Sequence, residues 1–204
     1  MDYRDIPTKW TGRFDAFVSV EMVEVSTHFL SPSAKLIRSF HNLQHVGTQH
    51  YKTYFKLVDR ALKDRNATTV VTSSTFPEAR YKTYQPEDFV RRYMWPNGAL
   101  PCTTALINAA TKASKNWFSV QSVENHSAHY PRTLREWGRR LEANVAMETM
   151  TKRYPGLQDP AAFESFKQKW RYLFTYAGAG LAKGYILCHM LTFYKVRPNS
   201  QLSG

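Results

Sequence analysis

One carboxylate occupies a position where an α/β protein would bind a ligand. Glu24 lies four residues after Phe14–Val20, an aromatic and β-branched run that predicts a buried strand. Ligands of α/β sheets bind beyond the carboxyl ends of the strands, so Glu24 would face such a crevice. The alternative is an ordinary exposed glutamate, and the residues alone leave both interpretations open.

Two other patterns have a chemical and a structural interpretation. His41 and His45 are spaced i, i+4, which suits a metal ion on a helix, but the surrounding segment 25–44 has neither helical nor strand periodicity. We therefore expect no metal site. Gly178, Gly180 and Gly184 resemble a phosphate-binding loop, but they lie inside a helical pattern, which favours close helix packing.

The apolar periodicity predicts strands that alternate with helices. Strands are predicted at 14–20, 68–74, 117–123 and 185–194, and helices at 50–63, 101–114, 130–152 and from residue 160 onward. Such alternation indicates an α/β fold with a largely parallel sheet.

The charge balance favours an anionic partner. The chain has 28 Lys and Arg against 16 Asp and Glu, a net charge of +12. It has no zinc-finger spacing and no RNP-like motif, so we expect an anionic membrane surface and no nucleic acid, with a plain solvated basic face as the alternative. No apolar stretch is long enough to span a bilayer, the N-terminus has no secretory pattern, and the two cysteines fit a reducing compartment. These features predict a cytoplasmic protein, peripheral to membranes.

Several blocks, in order, resemble the cyclopropane-fatty-acyl-phospholipid synthase family. They are DYRDI at 2–6, FDAFVSVEMVE at 14–24, HVG at 45–47, DFVRRYMWPNG with LP at 88–101, HY with TLREW at 129–137, and WRYL at 170–173. The stretch 76–81 looks most like fungal members. The resemblance implies the second half of a Rossmann-like class I methyltransferase domain, with S-adenosylmethionine as cofactor and phospholipid acyl chains as substrate.

The resemblance also implies a reaction and a site. The family transfers a methyl group to a cis double bond, after which a proton leaves and a cyclopropane ring closes. A bicarbonate ion is the base, held by a Glu, a His and a Tyr, and the first and last of these fall on Glu24 and Tyr130. The His position falls near Thr72, whose hydroxyl donates a hydrogen bond but carries no charge.

The family's cofactor contacts are only partly represented in this sequence. The adenine edge falls on Tyr3 and Arg4 and on the turn Val20–Glu21, whereas the glycine-rich turn lies upstream of the DYRDI block in the family and is not in this chain. We therefore expect residues 1–204 to form one partial methyltransferase domain that lacks the N-terminal cofactor-binding strands and is inactive alone. The alternatives are a non-catalytic basic module that binds lipid or a partner chain, and a relative of the sphingolipid methyltransferases.

Residues 25–44 interrupt the resemblance. The family runs directly from its Glu to HVG, whereas here this segment separates Glu24 from His45. Val-Ser-Thr at its start can be encoded with a splice donor and Leu-Gln at its end with a splice acceptor. Our hypothesis is a translated retained intron, and the alternative is a lineage-specific loop. The coding DNA decides between them.

Overall fold

The computed structural model describes residues 7–20, 51–95 and 98–196, together with the backbone of 37–38. The chain divides into two compact units. The sheet unit comprises residues 1–86, 97–125 and 188–204, and the helical unit comprises residues 87–96 and 126–187.

Among the described residues, the sheet unit contains a five-stranded sheet and two α-helices. In chain order they are β1 (Ala16–Ser19), β2 (Ile37–Arg38), α1 (Tyr51–Ala61), β3 (Arg65–Thr75), α2 (Thr103–Ala113), β4 (Phe118–Asn125) and β5 (Leu187–Val196), with 3₁₀ turns at Thr8–Trp10 and Glu78–Arg80. The strand order is β2-β1-β3-β5-β4. β1 runs parallel to both β2 and β3, and β4 runs antiparallel to β5. This mixed α/β architecture confirms the predicted fold class.

An aromatic core joins α1 to the sheet. Helical spacing places Tyr51, Tyr54, Phe55 and Val58 on one buried stripe of α1. The Tyr54 ring meets Phe17 of β1 edge to face, with centroids 6.1 Å apart, and the Phe55 ring lies 5.9 Å from Phe193 of β5. Residues of β3 alternate between buried and half-buried positions, as expected for a strand with one face in the core.

The helical unit contains α3 (Tyr130–Asn144), α4 (Met147–Arg153) and α5 (Pro160–Ala182), 3₁₀ turns at Ser127–His129 and Pro155–Leu157, and a π-helical turn at Val90–Met94. α5 begins with a clear cap: the Asp159 carboxylate accepts hydrogen bonds from the backbone N–H groups of Ala161 and Ala162. It ends at Ala182, and Gly184 follows with a φ of +67°, the left-handed conformation that glycine adopts without strain.

The glycines of α5 serve helix packing, as the sequence predicted. A Cβ at Gly178 would lie 3.9 Å from Leu134 of α3, and one at Gly180 would lie 3.2 Å from Ile186. The Trp137 ring of α3 also lies 6.0 Å from the Phe174 ring of α5. The phosphate-loop alternative has no support from this arrangement.

All four predicted strands and the helices near 50–63, 101–114 and 160 are present, but the single helix over 130–152 is wrong. Residues Val145 and Ala146 are extended and separate α3 from α4. Val145 ends the apolar series of α3, and its β-branched side chain favours extended backbone.

The predicted domain organisation concerns residues that the structure describes only in part. Of the segment 25–44, only the backbone of Ile37 and Arg38 is described, and it pairs with Phe17 and Val18 of β1. The retained-intron hypothesis and the single partial domain remain predictions. In the part of the chain that the structure describes, no helix is both long and apolar enough to cross a membrane.

Candidate active site

Most of the predicted cofactor contacts lie outside the described residues, namely Tyr3, Arg4 and Glu21, and so does the catalytic candidate Glu24. Val20 is described. It follows Ser19, the last residue of β1, and is 54% exposed. An exposed residue at the carboxyl end of a parallel strand has a position suitable for a ligand contact, and this is the one cofactor residue whose placement can be compared with the prediction.

Thr72 and Tyr130 belong to different units. Thr72 is half-buried within β3, three residues before the strand ends at Thr75, and Tyr130 is the first residue of α3. Thr72 contributes a hydroxyl from the sheet unit. The bicarbonate site shared by Glu24, Thr72 and Tyr130 stays a prediction, and we derive no step through the ion.

A polar cluster that the sequence did not predict lies where β3 ends. We call it the β3-end cluster, and it consists of Thr75, Glu78, Thr103, Thr104 and His189. The hydroxyl of Thr75, fully buried, lies 2.8 Å from Nδ1 of His189 on the neighbouring strand β5, and the Thr103 hydroxyl lies 3.4 Å from the same nitrogen. The imidazole thus joins the end of β3 to the first residue of α2.

Glu78 completes the cluster from the 3₁₀ turn that follows β3. Its Oε1 accepts hydrogen bonds from the backbone N–H of Thr104 at 3.2 Å and from the Thr104 hydroxyl at 3.1 Å. Burial raises the pKa of Glu78, but these hydrogen bonds and the nearby charge of His189 outweigh it and lower the pKa below its ordinary value. Glu78 is therefore a carboxylate at neutral pH, and it stabilises the N-terminus of α2 through the helix dipole.

Two tyrosines, Tyr51 and Tyr81, have raised pKa values. The Tyr51 hydroxyl donates to the carbonyl of Ala99 at 3.4 Å. Burial, then the proximity of Tyr81 and Cys102, raises the pKa of Tyr51, and burial followed by Cys102 raises that of Tyr81. Both phenols stay protonated at neutral pH, so they do not serve as bases.

The cluster offers one imidazole, one carboxylate and several hydroxyls at the ligand-binding edge of the sheet. Among the described residues, no group of three His, Cys, Asp or Glu side chains has the geometry of a metal site. Sequence reasoning missed His189 because its partner Thr75 is 114 positions away. The available signal was a histidine within the apolar strand pattern at 185–194, together with polar residues after the strand at 68–74.

The comparison with known sequences shows which protein family this chain belongs to. Residues 1–191 match the profile of the mycolic acid cyclopropane synthetase family. The chain belongs to this family. Its members are S-adenosylmethionine-dependent lipid methyltransferases and cyclopropane synthases, in agreement with the resemblance noted from the sequence blocks.

Three curated relatives show the range of the match. The chain is 24% identical over 198 residues to the tuberculostearic acid methyltransferase UfaA1 of Mycobacterium tuberculosis. This alignment covers 97% of this chain and 38% of the relative. It is 26% identical over 175 residues to the cyclopropane-fatty-acyl-phospholipid synthase of Escherichia coli, covering 86% and 34%. It is 27% identical over 145 residues to the sphingolipid C9-methyltransferase of Candida albicans, covering 70% and 24%. The chain thus spans well under half the length of these relatives.

Solved structures agree on the fold. The cyclopropane synthase MmaA2 of Mycobacterium tuberculosis superposes with a TM-score of 0.60 at 15% identity, covering 78% of this chain and 54% of that one. The mycolic acid cyclopropane synthase CmaA1, complexed with SAH and CTAB, superposes with a TM-score of 0.57 at 21% identity. The superposition covers 82% of this chain and 57% of that one. At these identities the likeness establishes the class I methyltransferase fold of the chain.

Proposed function

We propose that this chain supplies the second half of an enzyme that transfers a methylene group from S-adenosylmethionine to a cis double bond of a phospholipid acyl chain. The observation that carries the proposal is the family match over residues 1–191. The strand order β2-β1-β3-β5-β4 and the exposed Val20 at the end of β1 support it, because they leave a ligand edge where this fold binds ligands.

The chemistry requires an electrophile, an acyl double bond and a base. When bound, S-adenosylmethionine would supply the electrophilic methyl group, and its sulfur would keep the electrons of the broken C–S bond as a neutral thioether. The π electrons of the acyl double bond form the new carbon–carbon bond, a proton then leaves the transferred carbon, and the electrons of that C–H bond close the ring. We assign the acceptance of this proton to the Glu24 carboxylate, and to the Tyr130 phenol a hydrogen bond that orients the acceptor.

A second candidate function follows from the fungal relative. The match to the sphingolipid C9-methyltransferase supports transfer of a methyl group to a sphingolipid chain without ring closure. The two candidates differ in the product. A cyclopropane has strongly shielded ring protons in its NMR spectrum, whereas a methyl branch on a double bond does not.

A chimera tests the proposal. Residues 14–191 replace the matching segment of the Escherichia coli relative, with and without residues 25–44, and the protein is incubated with S-adenosylmethionine and vesicles of an unsaturated phospholipid. We expect the version without 25–44 to add one CH₂ to the acyl chain and to show cyclopropane protons. If that version binds S-adenosylmethionine but leaves every lipid unmodified, the proposal is wrong.

Two substitutions test the residue roles within that chimera. Glu24→Gln should lower kcat while the Kd for S-adenosylmethionine stays unchanged, because the ground state does not use the base. Tyr130→Phe should act in the same direction. The matched controls are Glu148→Gln and Tyr154→Phe, which change exposed residues in and just after α4. Equal losses in the test and control variants would contradict these roles.

A further inference from the structure

The helical unit has a continuous row of four aromatic rings, which we call the aromatic row: Tyr93, Phe89, Tyr172 and Tyr176. We propose that this row and the basic side chains on it form the surface through which the chain contacts anionic phospholipid headgroups. The inference deepens the proposed function and rests on it, since a phospholipid substrate has to be reached at a membrane surface.

The row is built from two segments of the chain. Phe89 precedes the π-helical turn that contains Tyr93, and their ring centroids lie 5.4 Å apart. Phe89 also contacts Tyr172 of α5 at 4.4 Å, and Tyr172 stacks on Tyr176 at 5.8 Å with an angle of 13° between the ring planes. Tyr93 and Tyr172 are each 51% exposed and Tyr176 is 42% exposed. Three large amphipathic rings therefore face solvent side by side.

Two exposed cations lie on the Tyr93 end of the row. The Arg92 guanidinium lies 5.4 Å from the centroid of the Tyr93 ring, and the Lys169 ammonium lies 5.6 Å from it. Asp88 faces the row, and its carboxylate accepts a hydrogen bond from the Tyr176 hydroxyl at 3.4 Å. Burial and this carboxylate raise the pKa of Tyr176, so its phenol stays neutral. The same carboxylate accepts a hydrogen bond from the backbone N–H of Arg91 at 2.9 Å, so one acidic group lies along a row whose Tyr93 ring carries two cations.

This combination suits the headgroup region of a membrane. Tyrosine rings have an apolar body and a polar tip, and they are enriched where hydrocarbon meets water. Basic residues next to them attract anionic headgroups, and the chain as a whole carries a net charge of +12. A single-stranded nucleic acid needs open aromatic faces on which bases stack, whereas here cations lie over Tyr93 and the Tyr172 face is used by Tyr176. Charge and geometry together favour the lipid surface.

Vesicle flotation tests the surface directly. The full chain is mixed with vesicles of phosphatidylcholine alone and with vesicles that also contain phosphatidylglycerol, and the bound fraction gives a partition coefficient. The test variant is Lys169→Glu with Tyr172→Ala. Its control is Arg153→Glu with Tyr154→Ala, because Arg153 lies 5.9 Å over the ring of the exposed Tyr154, outside the row. Both variants change the net charge equally and remove one exposed tyrosine.

We expect wild type to bind the anionic vesicles and the test variant to bind them at least tenfold more weakly, since each basic residue near such a surface contributes roughly fivefold. The control should change by less than threefold, because Arg153 and Tyr154 take no part in the ring and cation contacts of the row. Lys169→Glu alone, which leaves the ring packing intact, should give most of the loss, and far-UV circular dichroism checks folding. Equal losses in test and control would overturn the proposal.

Two further outcomes separate this inference from its alternatives. If the test variant loses affinity for a single-stranded oligonucleotide while vesicle binding is unchanged, the row serves a nucleic acid and the proposal is wrong. Flotation needs no cofactor and no turnover. If vesicle binding depends on the row but the chimera is inactive, the proposed function is wrong and the membrane surface stands. If the chimera is active but vesicle binding does not depend on the row, the membrane surface is wrong and the proposed function stands.

Discussion

Substitution of Lys195 should destabilise the sheet unit strongly. Lys195, on β5, is 2% exposed, and its Nζ lies 2.9 Å from Oδ1 of Asp59. The ammonium donates hydrogen bonds to the backbone carbonyls of Asp59 at 2.7 Å and Leu62 at 3.4 Å, near the C-terminal end of α1. Lys195→Met keeps the apolar stem and removes the charge. Breaking a buried ion pair costs about 3–5 kcal/mol, and because the Asp59 side chain is 21% exposed and regains water, we expect the lower end of that range.

Urea unfolding followed by circular dichroism measures this cost, and a double-mutant cycle with Asp59→Asn separates its parts. In the Asp59→Asn background, Lys195→Met should cost less, because the ion pair with Asp59 is already lost and only the two carbonyl hydrogen bonds and the longer ion pair with Asp64, at 3.8 Å, remain. A loss smaller than about 1 kcal/mol in the wild-type background would refute the reasoning, since it would mean that the ammonium is no better placed here than at an exposed site.

Three other perturbations have defined outcomes. Gly180→Val should lower the thermal midpoint by several degrees in a melting experiment, roughly as expected for 1–3 kcal/mol of overpacking, because even a Cβ would lie 3.2 Å from Ile186. Hydrogen bonds from Arg171 and Lys167 lower the pKa of Glu142 from 4.5 to about 2, so its contribution to stability is present above pH 4.5 and is lost as the pH falls towards 2; Glu142→Gln should remove this acid-sensitive part of the unfolding profile. His189→Ala should cost about 1–3 kcal/mol in urea unfolding, since it removes the imidazole partner of the fully buried Thr75 hydroxyl, whereas an unchanged midpoint would mean that water replaces the imidazole.

The sequence predicted the elements better than their ends. The run Phe14–Val20 has strand composition throughout, but the strand that forms is Ala16–Ser19. Composition records which residues suit a strand, whereas the bounds depend on which of them find a partner in β2 or β3. The break after Asn144 was missed for a related reason: Val145 continues the apolar spacing of α3, and spacing carries no information about backbone angles at one residue.

The candidate site was less predictable than the fold. The family resemblance supplied Glu24, Thr72 and Tyr130, and the structure leaves the shared site formed by these residues a prediction. The β3-end cluster depends on the pairing of β3 with β5, which no local pattern encodes. Periodicity likewise places Tyr172 and Tyr176 of α5 one turn apart, but it does not reveal that Phe89 packs on them from a distant segment.

The antiparallel ladder of β4 and β5 has a consequence for how the chain folds during synthesis. Asn125 pairs with His189, so the whole segment 126–187 emerges between two adjacent strands. The contacts of α3 with α5 lie entirely within this segment, so they can form before β5 is synthesised. They shorten the loop between β4 and β5 and so lower the entropic cost of pairing these strands. Until β5 leaves the ribosome, however, Leu191 and Phe193 are missing from the core. We therefore expect the nascent sheet unit to expose part of its aromatic core until β5 is synthesised, a state prone to aggregation.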